Sequence, residues 1–101
     1  MHAFPAITAS VCNLRPTSRG GAHAQSPDPF AAPRIDPNYL STEEDGRTAV
    51  AALRLTRTIM AAAPLAPYAP EEFLPGPRRQ DDSDLLAAAR DIATTIFHPA
   101  G

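Results

Sequence analysis

STEEDGRTAVAALRLTRTIMAAAP, residues 41–64, is the stretch on which the fold of this 101-residue chain turns. Ser41 and Glu44 stand three apart, a spacing at which each side chain can accept a hydrogen bond from an otherwise unpaired backbone N–H. A helix is therefore expected to start there. At about 100° per residue, Ala49, Ala52, Leu53, Leu55, Thr56, Ile59 and Met60 form one broad stripe, while Arg47, Arg54 and Arg57 lie opposite. The expected helix is amphipathic and packs on one side. It should stop by about Ala63, because Pro64 disfavours helical backbone in the residue before it and has no N–H to donate.

Downstream, prolines at 64, 67, 70, 75 and 77 predict a loop. A second helix is expected with Asp81 or Asp82 as its cap, since acidic residues through Asp84 suit the partial positive charge of a first turn. Leu85, Ala89, Ile92 and Ile96 recur at helical spacing, and the β-branched run Thr94, Thr95, Ile96 predicts loosening before the end. Pro99 then favours an extended backbone at His98.

Upstream, Ile7, Ala9 and Val11 alternate with Thr8, Ser10 and Cys12, which predicts a strand over residues 6–14. The turn-forming run at 17–21 would bring residues 22–26 back as an antiparallel partner, although they hold no β-branched residue. Prolines at 27, 29, 33 and 37 exclude a helix over 26–37 and predict an irregular or edge-like crossing. The fold class expected from this order is α+β: a partial antiparallel sheet with two amphipathic helices on one face.

Composition limits what such a unit can do. Twenty residues are Ala and only 19 are Leu, Ile, Val or Phe, so the core available for burial is small and outside support is expected. The nine basic residues are all Arg and are dispersed among 11 acidic ones, giving a net charge of −2 and no clustered positive field of the kind nucleic acid requires. The longest apolar runs, at 49–53 and 59–63, fall far below the roughly 18 residues of a membrane span. No basic residue precedes the first apolar stretch, so neither a secretory signal nor a transit peptide is expected, and the cytoplasm is the expected location. The lone Cys12 is read as a small apolar strand residue.

The residues by themselves suggest little chemistry. His2, His23 and His98 lack metal-ligand spacing, so no metal site is expected. Glycines at 20, 21, 46, 76 and 101 form neither a G-x-G-x-x-G turn nor a phosphate loop, and no serine lies in a G-x-S-x-G context. Tyr39, Phe73 and Phe97 could line a pocket, but packing of helix and loop ends is the better reading of them.

The run TASVCNLRPTSRG at 8–20 resembles the opening strand and turn of the C-terminal domain in glucose-methanol-choline (GMC) oxidoreductases. Asp28-Pro29, PRIDPNYLS at 33–41, Asp45 and Leu53-Arg54-Leu55 are similar to that family's approach to its long helix and to the helix itself. PEEFLPGP at 70–77 and TTIFHP at 94–99 resemble its later loop and the approach to its active-site histidine. The resemblance implies that residues 1–101 are part of a substrate-binding C-terminal domain, a fragment whose FAD-binding domain is absent here and acts in cis or in trans.

It further implies an FAD-dependent enzyme acting on the CH–OH group of a small-molecule alcohol, choline-like substrates included. In that family the histidine matching His98 is the base or hydrogen-bond partner of the substrate hydroxyl while hydride passes to the flavin. The residue type suits the role, because an imidazole titrating near about pH 6.5 can accept a proton and direct a hydrogen bond. His98 is thus the single catalytic position expected. No flavin is expected to bind this chain alone, and the isolated fragment is expected to be inactive. Family members continue past that histidine with Gly-Thr, a Cys-Arg-Met-Gly-like stretch and a second active-site His or Asn, none of which is present. The alternative reading is a non-catalytic remnant or a small interaction module whose helices dock on a partner.

Overall fold

A computed structural model of the chain describes residues 3–97. Two short strands, β1 (Gly21–His23) and β2 (Arg34–Asp36), precede helix α1 (Glu43–Met60), a 3-10 helix (Ala63–Tyr68) and helix α2 (Asp82–Ile92). The α+β class is as expected, with a two-stranded antiparallel sheet accompanying two helices.

Helix α1 begins one residue later than Ser41 suggested. Its N-cap is Thr42, whose hydroxyl accepts the Asp45 N–H at 3.3 Å. The Ser41 and Thr42 N–H groups, which precede the helix, are both donated to the Ser18 hydroxyl at 2.9 and 3.3 Å. Glu43, Glu44 and Asp45 place negative charge in the first turn and Arg57 places positive charge in the last, both favourable to the helix dipole. The helix ends at Met60, three residues before the expected limit, with the Ala61 N–H returning to Arg57 O at 3.0 Å. The chain then continues as a 3-10 turn with Pro64 in its first positions, where a missing N–H costs nothing, so the first part of the expected loop is regular.

The face that α1 buries is rotated from the one its hydropathy suggested. Gly46 and Val50 are buried and Leu53 and Arg57 half-buried, a set spaced at i, i+4, i+7 and i+11, whereas Leu55 and Ile59 are exposed on the other side. Gly46 explains the rotation: a Cβ there would stand 3.3 Å from Leu86 Cδ1, so the absent side chain lets α2 approach closely. The core that results is Val50 with Leu85, Ala88 and Ala89 of α2, which are 7%, 0%, 2% and 5% exposed. Helix α2 begins after Asp81, the expected cap position, although the Asp81 side chain makes no capping hydrogen bond, and it ends at Ile92. Ile96 consequently falls outside it and is exposed.

Arg57 was expected on the polar face. It turns inward instead, donating from Nε to both Glu72 carboxylate oxygens at 3.2 and 3.1 Å and from Nη2 to Glu72 Oε1 at 2.9 Å and Gly76 O at 3.2 Å. With side chains 22% and 27% exposed, this pair fastens residues 72–76 to the end of α1. Glu72→Gln keeps the shape but leaves a half-buried guanidinium without its counter-charge. We expect it to lower stability by about 1–3 kcal/mol, read as a fall in the denaturation midpoint.

The expected strand at 6–14 does not form. Residues 3–20 carry no strand, and Ile7, Val11 and Leu14 are exposed. β1 pairs with β2 instead, in the register Gly21↔Asp36, Ala22↔Ile35 and His23↔Arg34. β1 overlaps the returning strand expected at 22–26, whereas β2 lies within the segment expected to be irregular, because the stretch between Pro33 and Pro37 is free to be extended and its own loop brings it back on β1. Residues 6–14 alternate as a strand does, but no described residue pairs with their backbone, and a strand without a neighbour is not held.

Candidate functional site

Among the described residues Asp45 is a buried carboxylate that accepts four hydrogen bonds. It is 2% exposed, and its carboxylate is enclosed by its own donors at the first turn of α1. Oδ1 accepts from Thr17 N at 2.9 Å, Thr17 Oγ1 at 3.2 Å and Asn13 Nδ2 at 3.2 Å, while Oδ2 accepts from Ser18 N at 2.8 Å. The Thr17 and Thr42 hydroxyls meet at 2.6 Å alongside. The Ser18 hydroxyl above all, then the Thr17 amide, hold the Asp45 carboxyl well below the usual carboxylate range, against desolvation that acts the other way.

This knot ties residues 13–18 to the long helix. A carboxyl whose pKa is lowered by folding contributes stability above its unfolded pKa of about 3.9, and that stability is lost as pH falls through the folded value. We expect acid to loosen the arm from α1 below about pH 4. Asp45→Asn should be less stable at neutral pH and show a shallower acid limb in denaturation followed against pH.

The second feature is the approach to His98. Leu85, Ala88 and Ala89 seat α2 on α1, and Arg90 Nη2 reaches Leu40 O at 3.5 Å. Ala93 is extended, with φ −66 and ψ 142, and the chain leaves the helix through exposed residues 93–97. His98 itself, the expected catalytic residue, lies outside the described residues, as does His2. Of the three aromatics considered for a pocket, Phe73 packs edge-on against Phe4 at a centroid distance of 5.4 Å, while Tyr39 and Phe97 are exposed by 50% and 89%. The structure brings none of the three together. Asp45 was overlooked as an anchor at the level of sequence, although Thr42-x-x-Asp45 carries the same spacing signal as the Ser41 and Glu44 pair preferred to it.

Two open hollows stand out among the described residues. One, of about 580 Å³, lies between the helices and is lined by Gly46, Val50, Ala51 and Leu86 together with Arg47, Arg54 and Arg90. Arg54 is occupied by Asp82 at 2.6 Å and Arg47 by Glu43 at 2.7 Å. The other, of about 330 Å³, lies on the His23 and Arg34 face of the ribbon. Among the described residues no group of three or more His, Cys, Asp or Glu side chains could hold a metal ion, and no helix is long and apolar enough to cross a membrane.

Residues 16–101 match the C-terminal model of the family described as GMC oxidoreductase. The chain belongs to the GMC oxidoreductase family. An oxygen-dependent choline dehydrogenase of Proteus mirabilis is 45% identical over 101 residues, 100% of this chain and 18% of that protein. An alcohol dehydrogenase (acceptor) of Pseudomonas putida is 40% identical over 94 residues, 93% of this chain and 17% of that protein. The GMC chain thus spans less than a fifth of the length of these curated relatives. No solved structure matches it.

The family match covers β1, β2 and both helices of this GMC chain, as well as Thr17 and Ser18, which hold Asp45. It also covers His98 and the segment leading to it. The arrangement of the described residues is that of a scaffold. One polar knot fixes the entry to α1, one ion pair fixes its exit, and α2 delivers the chain toward position 98.

Proposed function

We propose that this GMC chain is part of the substrate-side C-terminal domain of an FAD-dependent oxidoreductase acting on the CH–OH group of a small alcohol, and that His98 serves it as base or hydrogen-bond partner of the substrate hydroxyl. The carrying observation is the match to choline and alcohol dehydrogenases along essentially the whole chain, at 40% identity or above. The physical state of the chain supports it. It exposes 8419 Å² of surface, where a self-contained globule of this mass would expose about 5,500 Å². Its radius of gyration is 17.1 Å against about 13 Å for a compact domain of this length.

Much of that excess is apolar. Leu55 and Ile59 form a second apolar stripe on α1 away from α2, and Ile7, Leu14, Ile35 and Tyr68 are more than half exposed elsewhere. Surfaces of this kind are covered in working proteins. The reading accordingly has an FAD-binding part, in cis or in trans, cover them.

The described residues do not suit FAD's diphosphate. Gly20 is pressed so closely on the Asp36 carbonyl that a Cβ would collide with it, and Gly46 lies inside α1 against Leu86, so the close approach each glycine permits is already taken by this chain. In this proposal FAD is held by the other part and supplies the hydride acceptor there. Nothing in the described residues suggests a nucleic acid partner, and the cytoplasm remains the proposed location.

The test is anaerobic addition of choline or a primary alcohol to the flavin-loaded assembly that contains this chain. Bleaching of the oxidised flavin absorbance is expected. An assembly that carries flavin yet is reduced by no alcohol contradicts the proposal.

A further inference from the structure

We propose that the polar face of the β1–β2 ribbon binds a single phosphate group carried by a small molecule, an inference that does not depend on the reading of His98. Residues opposite one another in an antiparallel pair share a face, so the register puts Gly21 and His23 on the same side as Asp36 and Arg34. Arg19, two residues before Gly21, and Asn38, two residues after Asp36, join them in lining the hollow of about 330 Å³. Arginines that are dispersed in the sequence are thus brought to one small surface.

The donors there are unspent and partly fixed. Arg19 gives Nη1 to Pro16 O at 2.8 Å and to Ser18 O at 2.9 Å, which holds its guanidinium by one edge, and neither Arg19 nor Arg34 forms an ion pair among the described residues. Asn38 Nδ2 donates to Arg19 O at 2.9 Å and ties the two ends of the ribbon together. His23 is placed by an absent side chain: a Cβ on Gly21 would stand 2.7 Å from His23 Nε2, so a larger residue at 21 would push the imidazole aside. Asp36 is the one carboxylate of the lining, and its Oδ1 already accepts the Asn38 N–H at 3.1 Å. Two guanidiniums against one carboxylate leave an excess of positive charge. Guanidinium forks match phosphate oxygens, and a dianion is drawn to such an excess more strongly than a carboxylate is.

The test follows the backbone amides of the full chain by two-dimensional nuclear magnetic resonance during titration with inorganic phosphate, with sodium chloride at matched ionic strength as the reference and acetate as a carboxylate probe. Because the lining is exposed to water, saturable shifts confined to residues 19–23 and 34–38 are expected with an apparent Kd on the order of 1 mM. Arg34→Gln should weaken phosphate binding about tenfold, and acetate should bind the parent about tenfold more weakly than phosphate. Asp36→Asn keeps an acceptor for Asn38 while removing the charge, and should tighten binding about threefold. Gly21→Val should weaken it about threefold through His23.

Shifts that chloride reproduces, shifts centred outside the ribbon, equal affinity in Arg34→Gln and Asp36→Asn, or ribbon amides without folded dispersion overturn the proposal. Acetate bound as tightly as phosphate overturns the assignment to a phosphate group.

Discussion

Leu85→Ala is expected to dissolve the pairing of the two helices. Leu85 is 0% exposed, and the other buried apolar residues among those described are Val50, Ala88 and Ala89, all smaller than the leucine they would have to replace. Leucine-to-alanine changes at such sites cost about 2–5 kcal/mol, the larger values arising where the surroundings cannot collapse. Small domains have little stability in reserve, and a loss of this size is a large fraction of it. The helical signal in circular dichroism should fall at a much lower temperature in the variant, with α1 and α2 lost together because each buries its face on the other. The same substitution at Leu55, which is 56% exposed, should leave the isolated chain nearly unaffected. Its effect should appear only when the chain is in its assembly. A small effect at position 85 would show that the helices are held by something other than this contact.

His98→Ala carries the largest expected effect on activity. A positioned base contributes about 10²- to 10⁴-fold, so kcat/KM for the alcohol should fall by that factor while flavin content is unchanged. Because the proposed role requires the neutral imidazole, the parent should lose kcat/KM at acid pH. The residual activity of the alanine variant should lack that acid limb. A variant that retained both the rate and the pH profile would assign the proton transfer to another group. The two substitutions probe different links of the chain of cause: position 85 holds the two helices together, and position 98 is the proposed catalytic position.

The helices were legible in the sequence because their boundaries are written in short-range chemistry. Asp81 with the acidic turn after it, and Pro64 near the far end of the long helix, each act within a few residues and do not depend on what surrounds them. The rotation of the buried face of α1 was not legible. It is set by Gly46, which has no side chain to register in a hydropathy pattern, and by Arg57, whose inward turn requires a glutamate 15 residues away. The strand expected at 6–14 failed for a related reason. Alternation shows that a segment is suited to a sheet, but pairing is a property of the neighbour, and the described residues offer it none. The same applied in reverse at 34–36, where the flanking prolines masked a three-residue pairing.

Little of the site could be read from residue chemistry alone. Asp45 resembles any other acidic residue of a first helical turn until Asn13, Thr17 and Ser18 are seen to surround it. His98 carries no local signal of reactivity, and its assignment depends on the likeness of TTIFHP to the family's segment.

The most direct measurement is made on the purified chain by itself, incubated with excess FAD, dialysed, and assayed for bound flavin and for oxidation of choline and primary alcohols. We predict that no flavin is retained and no alcohol is turned over. Stoichiometric flavin with turnover by the isolated chain would contradict the account.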